Sequence, residues 1–109
     1  MDFTEYQKAA HRTSSYPKVG ENYIHPVLGL CGEAGELANK VKKIFRDDKG
    51  ILTESRKEEI KKELGDILWY VAEISTTLDI DLDKVAESNI EKLGSRLDRG
   101  TINGDGDTR

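Results

Sequence analysis

Two stretches of this chain repeat one pattern, thirty residues apart. In the first, Glu33 and Glu36 stand three residues apart with a glycine between them, and in the second Glu63 and Asp66 do the same. A spacing of three places both acids of a pair on one side of a helix, about one turn apart. The fold must therefore accommodate two doubly acidic helix faces.

Packing two such helices side by side would bring four carboxylates together, and such a cluster repels itself unless a positive ion sits in it. Carboxylate oxygens alone suit Mg²⁺, Mn²⁺ or Ca²⁺. Neither His11 nor His25 stands at the Glu-x-x-His spacing of a di-iron bundle. The pattern favours Mg²⁺, with Mn²⁺ able to substitute. The predicted ligands are Glu33, Glu36, Glu63 and Asp66.

Four segments place apolar residues at helical spacing, and no segment alternates with the period of two that a strand requires. A capping box, a first-turn proline or a capping side chain opens each segment. The chain is therefore predicted to be all-α, with the four helices forming a bundle. The helices are expected at 2–13, from Pro26 to about Arg46, from a cap at Thr53 or Ser55, and from a cap at Asp81.

The chain has 109 residues, enough for one domain, and no Pro/Ser-rich linker divides it. Residues 1–99 are predicted to form a single helical domain. Residues 100–109 form a glycine-rich tail with little to bury, which we expect to be mobile. Charged residues, at 35%, nearly equal the hydrophobic 36%. One copy therefore buries little apolar surface, and self-association is expected.

Charge and composition exclude several classes of protein. The net charge of −4 argues against nonspecific nucleic-acid binding, which needs a basic face. The sequence contains no leader-like start and no apolar run of membrane-spanning length, which favours a cytoplasmic protein without a membrane partner. Its one cysteine, Cys31, lies at an apolar helical position and is interpreted as a buried core thiol.

The fourth helix supplies charge opposite to that of the acids. Asn89, Lys92 and Arg96 share one shoulder of its apolar stripe, and Lys40 lies beside the acids on the second helix. A metal bridging phosphate oxygens, with cations holding the remaining charge, is what a polyphosphate requires. The set therefore predicts polyphosphate binding, with surface solubility as the alternative for Lys92 and Arg96.

At these residues the chain resembles a known family. The two acid pairs, with 26 residues between Glu36 and Glu63, resemble the signature of the MazG-like nucleoside triphosphate pyrophosphohydrolases, in the all-α NTP pyrophosphatase superfamily. The stretch Asn-Ile-Glu-Lys-Leu at 89–93, with Arg96, resembles that family's C-terminal motif. The resemblance spans roughly residues 3–100. It implies a four-helix bundle-like protomer that assembles as a homodimer or homotetramer, with sites at subunit contacts.

The same resemblance implies a reaction and roles for residues. The reaction is hydrolysis between the α- and β-phosphates of a nucleoside triphosphate, giving a nucleoside monophosphate and pyrophosphate. The four acids are then catalytic metal ligands, and one of them, or a carboxylate close by, acts on the attacking water. Asn89, Lys92 and Arg96 hold sugar or phosphates. Tyr70, one turn beyond Asp66, contacts base or sugar, with helix packing as an equal alternative.

Two further predictions concern aromatic residues that lie outside the apolar stripes. Trp69 points about 180° from the core stripe of the third helix, which favours a subunit contact. The loop before the second helix is a candidate base pocket, although its histidine is more commonly a structural or surface residue. The loop residues in question are Tyr16, Pro17, Tyr23 and His25.

Two other functions stay open. The high charge and the outward Trp69 are also compatible with a non-enzymatic helical module, such as a nucleotide sensor. The same fold could act on a different polyphosphate, such as a nucleoside diphosphate, phosphoribosyl-ATP or an alarmone. The sequence fixes neither the base nor the sugar, nor the carboxylate that acts on water.

Overall fold

A computed structural model describes all of residues 1–109 and contains helices but no strands. The all-α prediction is therefore confirmed. Two long helices form an antiparallel hairpin, and two shorter helices flank it. The helices are α1 (Phe3–His11), α2 (Ile24–Asp47), α3 (Glu54–Thr77) and α4 (Leu82–Asp98).

Side-chain caps open three of the helices, as the sequence predicts. Asp2 caps α1 and forms the full capping box with Glu5. Thr53, rather than Ser55, caps α3, and Asp81 caps α4. The remaining helix, α2, begins two residues before the expected proline and has no side-chain cap.

The turn between α2 and α3 is held by one arginine. Arg56, in the first turn of α3, donates from Nε to Asp48 at 2.7 Å and from Nη1 to Glu59 at 3.1 Å. The contact with Asp48 joins α3 to the C-cap of α2, and the contact with Glu59 lies within α3. The hairpin is the most extensive helix–helix contact of the fold.

The start of α4 is fastened to α1 rather than to the hairpin. Asp83 accepts hydrogen bonds from Phe3 N at 3.1 Å and Thr4 Oγ1 at 2.7 Å. Gln7 Oε1 accepts from Leu82 N at 3.0 Å. Beyond this junction α4 makes no extended contact with α2 or α3. The four helices therefore do not close into a complete bundle within one copy.

The core of a single copy is small. Only 8 of 109 residues are buried, and the apolar cluster consists of Ala10, Ala72 and Leu82, where α1, α3 and α4 meet. The prediction that the apolar stripes face inward is wrong for much of their length, because nothing in the copy covers them. Large stripe residues that stay exposed are Val41, Phe45, Leu64, Leu78, Val85, Ile90, Leu93 and Leu97.

The overall dimensions match this open arrangement. The radius of gyration is 16.8 Å, whereas a compact chain of this length has about 13 Å. Apolar stripes left open on α2 and α4 are surfaces that a second chain could cover. The apolar content of every helix falls short of what a membrane crossing needs.

Two sequence-based placements are wrong. Trp69 does not turn away from the core: it packs against the apolar cluster, and its Nε1 donates to Thr13 Oγ1 at 2.7 Å. The reason is that α1 and the residues after it cover that side of α3. Cys31 is exposed rather than buried, because no helix of the same copy covers its side of α2.

Candidate metal centre

Three of the four predicted ligands meet where α2 and α3 pack. Glu33 on α2 and Glu63 and Asp66 on α3 each offer a carboxylate oxygen, and these oxygens lie within 4.8 Å of one another. Opposed oxygens on one Mg²⁺ are roughly 4.2 Å apart, twice the Mg–O distance. At most one pair among three ligands can be opposed in this way, and adjacent oxygens lie closer, so the three side chains would have to draw together to share one cation.

The fourth predicted ligand stands slightly apart. Glu36 lies one turn after Glu33 on α2 and is exposed, and its oxygens fall outside the group of three. Its negative charge still reaches Glu33 and raises the pKa of that carboxyl group. The structure therefore gathers a trio of acids with a fourth at its edge.

The electrostatics of this cluster favour the binding of a cation. The pKa of Glu33 is raised, first by burial, then by hydrogen bonding to Glu63 and by the negative charges around it. None of the four acids forms an ion pair with a lysine or arginine. An all-oxygen, unpaired and self-repelling donor set is one that Mg²⁺ or Mn²⁺ would stabilise.

Tyr70 borders the acid trio on the side toward the start of α2. It lies one turn beyond Asp66 on α3, and its ring rests on Gly29, one turn before Glu33 on α2. A Cβ built at Gly29 would fall 2.3 Å from the ring carbon Cε1 of Tyr70. The structure thus shows helix packing for this ring, and the same packing holds it next to the acids.

Three more rings extend from Tyr70 away from the acids. Trp69 meets Tyr70 edge-on with ring centroids 5.0 Å apart, and Tyr16 meets Trp69 edge-on at 6.4 Å. His25, in the first turn of α2, stacks on Tyr16 at 4.8 Å and 10°. We call Tyr16, His25, Trp69 and Tyr70 the aromatic wall. Of the predicted loop residues, Pro17 and Tyr23 are exposed and take no part in these ring contacts.

Two residues near the site were not predicted from the sequence. Glu73 is fully buried and contacts Tyr16 of the aromatic wall. It lies seven residues after Asp66, on the same face of α3, but nothing in the sequence distinguishes it from other helical glutamates. Tyr6 of α1 also lies near the acids: burial raises the pKa of its phenol, and the charge of Asp66 raises it further.

The predicted phosphate-binding residues do not all converge in one copy. Lys40 lies on α2, half-buried and without an acidic partner. Asn89, Lys92 and Arg96 lie on α4, which is fastened to α1 and makes no extended contact with α2. Within one copy, α4 therefore makes no extended contact with the helix that carries Glu33 and Glu36, and the roles of Asn89, Lys92 and Arg96 stay predictions.

The C-terminal tail contacts two of these cations instead. Asp107 Oδ1 lies 2.7 Å from Lys92 Nζ and 3.2 Å from Arg96 Nη2. Hydrogen bonding to Lys92 and then to Arg96, together with their positive charges, lowers the pKa of Asp107. Arg96 is only 4% exposed, and its Nε has no partner. Two cations on α4 thus form an anion-binding pair that holds a carboxylate of the same chain.

The main cavities of the structure do not include the acid trio. One of them, about 440 Å³, lies between α1, the end of α3 and the start of α4. Its lining includes Thr4, His11 and Asp79 but none of the predicted ligands.

Fold and site together define an all-α protein with a carboxylate cluster suited to a divalent metal. The MazG nucleotide pyrophosphohydrolase domain matches residues 23–100. That match spans more than half of the chain and contains all four acids, so the chain belongs to the MazG family, and the resemblance noted in the sequence is confirmed.

A phage protein is similar along nearly the whole chain. The Gene 37 protein of Mycobacterium phage L5 is 48% identical in an alignment that covers 95% of this chain and 96% of the phage protein. No solved structure matches the chain.

Proposed function

We propose that this protein is a Mg²⁺-dependent nucleoside triphosphate pyrophosphohydrolase. It would cleave the bond between the α- and β-phosphates and release a nucleoside monophosphate and pyrophosphate, acting in nucleotide metabolism in the cytoplasm. The observation that carries the proposal is the meeting of Glu33, Glu63 and Asp66 within 4.8 Å in a member of the MazG family.

The acids divide into two roles in this proposal. Glu33, Glu63 and Asp66 hold the cation, and Mn²⁺ can replace Mg²⁺ because both prefer oxygen ligands. When bound, the metal neutralises phosphate charge and acidifies the attacking water. Glu36 either turns inward to complete the ligand set or, as now placed, uses its free oxygens to orient that water and accept its proton.

The phosphates and the nucleoside need further contacts. Lys40 on α2 and the residues Asn89, Lys92 and Arg96 on α4 are proposed to bind phosphates or sugar. The aromatic wall begins one turn from the acids, which suits it to the nucleoside end of the substrate. Tyr70, the ring nearest the acids, is proposed to contact base or sugar.

We also propose that the protein assembles as a homodimer or homotetramer. Ile90 and Leu97 on α4 are 69% and 68% exposed, and Phe45 on α2 is 72% exposed. Burying such side chains against a second copy is favourable by roughly 25 cal/mol per Å². We propose that α4 of one copy covers the hairpin of another and brings its cations to the phosphates.

A pyrophosphate-release assay across ribo- and deoxyribonucleoside triphosphates tests the function. We expect Mg²⁺-dependent release of pyrophosphate, and not of orthophosphate, from at least one of them. Glu63→Gln should abolish turnover because it removes a carboxylate that the cation needs. Glu54→Gln, an exposed acid in the first turn of the same helix, serves as the matched control and should remain active.

The outcomes separate the proposal from its alternatives. Glu36→Gln should lose turnover while the protein still binds Mg²⁺ if Glu36 acts on the water. Orthophosphate as the product, or full activity of Glu63→Gln, contradicts the assigned reaction or site. Nucleotide binding without any turnover would favour a sensor instead.

A further inference from the structure

The buried carboxyl group of Glu73 has no role in the proposed reaction. Its side chain is fully buried, and no lysine or arginine pairs with it. Burying such a group is costly unless hydrogen bonds compensate for the lost water. The hydrogen bonds of this buried carboxyl group must therefore compensate for the water that it has lost.

Three side chains from α1 and the loop after it contact Glu73. Hydroxyl groups of Ser14 and Tyr16 both donate to Oε1, the tyrosine at 3.2 Å. His11 Nδ1 lies 3.2 Å from Oε2. One carboxyl group on α3 thus fastens the segment 11–16, which has no other regular structure beyond the end of α1.

Tyr16 links this buried group to the aromatic wall. The pKa of its phenol is raised, first by burial; hydrogen bonding with Thr77 lowers it, and the charge and hydrogen bond of Glu73 raise it. The phenol therefore stays protonated at neutral pH and keeps its hydrogen to donate. With its hydroxyl held by Glu73, the ring has one orientation, stacked on His25 and edge-on to Trp69.

We propose that Glu73 is a positioning residue: it fixes Tyr16 and thereby sets the aromatic wall against which the nucleobase of the substrate binds. This inference rests on the proposed function, since it assigns the base-recognising part of the same site. Glu73 lies about 10 Å along α3 from Asp66, at 1.5 Å per residue. It touches no reacting atom and acts through Tyr16.

The first test separates positioning from chemistry by steady-state kinetics. Tyr16→Phe removes the hydroxyl and keeps the ring, and Glu73→Leu removes both acceptors. Each should raise KM about tenfold, the effect of one lost hydrogen bond, leave kcat within about twofold, and weaken the preference among bases. Glu73→Gln keeps an oxygen acceptor for Tyr16 and Ser14 and should restore KM to near that of the wild type.

Controls distinguish positioning from general damage. Glu73→Leu and Tyr16→Phe both remove the Tyr16–Glu73 hydrogen bond, so the double variant should have a KM no higher than that of Glu73→Leu alone. Pyrophosphate as a competitive inhibitor has no base, and its inhibition constant should be unchanged in every variant. If Glu73→Leu does not fold, Tyr16→Phe tests the same hydrogen bond from its other end.

A binding measurement makes the inference independent of turnover. Trp69 is the only tryptophan of the chain and lies edge-on to Tyr16, so its fluorescence reports on the wall. Titration with AMP, CMP, GMP and UMP should give dissociation constants about tenfold higher in Tyr16→Phe and Glu73→Leu. If the wild type binds these monophosphates more tightly than the two variants do, but releases no pyrophosphate from any nucleoside triphosphate, the proposed function fails while the role of Glu73 stands.

Three results would overturn the inference. The first is an unchanged KM and an unchanged dissociation constant in Tyr16→Phe. The second is an additive double variant, which would mean that the two residues act separately. The third is a Glu73→Gln variant as impaired as Glu73→Leu, which would mean that the charge matters rather than the acceptor oxygen.

Discussion

Tyr70 of α3 lies so close over Gly29 of α2 that a Cβ at Gly29 would come within 2.3 Å of its ring. A glycine inside a helix costs about 1 kcal/mol relative to alanine. Here the loss is offset by the close approach of α2 and α3, which also brings Glu33 toward Asp66. The contact therefore couples the packing of the hairpin to the geometry of the candidate metal centre.

Gly29→Ala should disturb both the packing of the hairpin and the geometry of the candidate metal centre. The added methyl group must push Tyr70 aside or separate the helices, because it meets a ring rather than the end of a flexible chain. We expect the free energy of unfolding to fall by about 1–3 kcal/mol, the usual cost of overpacking, and KM for the nucleotide to rise. Urea unfolding and steady-state kinetics measure the two effects.

Gly32→Ala is the matched control on the same helix. A Cβ at Gly32 meets nothing within 4 Å, so alanine should keep activity and gain up to about 1 kcal/mol of helix stability. Equal stability changes in the two variants would show that the Tyr70 contact is unimportant.

Local signals made much of this site predictable. The capping box at Asp2 and the caps at Thr53 and Asp81 depend on residues a few positions apart, which the sequence displays directly. The two acid pairs follow from helical spacing in the same way. Their meeting required only that the two helices pack as neighbours, which a short turn between them favours.

Contacts between distant segments were not predictable in this way. The attachment of α4 to α1 depends on Asp83 accepting hydrogen bonds from Phe3 and Thr4, about 80 positions earlier. The inward position of Trp69 depends on α1 crossing α3. Glu73 looks like any helical glutamate until Ser14 and Tyr16 are seen to donate to it. Helical periodicity carries no information about which element will cover a given face.

Mg²⁺ should stabilise the folded protein. Burial first, and then the neighbouring acids, raise the pKa of Glu33, so its ionised carboxylate opposes folding at neutral pH when no cation balances it. Adding Mg²⁺ should therefore raise Tm with saturation, as expected when a ligand binds only the native state. Differential scanning fluorimetry with NaCl at matched ionic strength separates binding from general screening.

Two acid variants test whether the rise in Tm comes from Mg²⁺ bound at the acid trio. Glu33→Gln removes one of the repelling charges, so its metal-free Tm should equal or exceed that of the wild type, and its response to Mg²⁺ should be weak. Glu54→Gln should respond as the wild type does. A Glu33→Gln variant with an undiminished Mg²⁺ response would remove Glu33 from the proposed ligands.

The contact between the tail and α4 should depend on pH. Because the folded-state pKa of Asp107 is lowered, its contact stabilises the docked tail above the ordinary aspartate pKa and is lost as pH falls through the lowered value. We therefore expect the tail to stay docked at neutral pH and to be released in acid. Heteronuclear NOE values of Gly104 and Gly106 report its motion across a pH titration.

Asp107→Asn should release the tail at neutral pH, because it removes the charge that Lys92 and Arg96 hold. Asp105→Asn is the matched control, since Asp105 has no cationic partner. If Gly104 and Gly106 are equally mobile in the wild type and both variants, the tail is free in solution, as its glycine content predicts.

Substitutions on α4 test whether its exposed stripe is a contact between copies. Ile90 and Leu97 are among the most exposed large apolar side chains of the chain. A charge placed inside a packed apolar interface is strongly unfavourable, so Ile90→Asp or Leu97→Asp should shift the protein from an oligomer to a monomer in light scattering. Ser88→Asp, at an exposed polar position of the same helix, should leave the mass unchanged. Turnover tests a further consequence. If α4 completes the site of its neighbour, the monomeric variants should also lose turnover while retaining their helical circular dichroism. An oligomer that survives both aspartates would place the interface elsewhere, and a monomeric wild type would mean that no second copy covers α4.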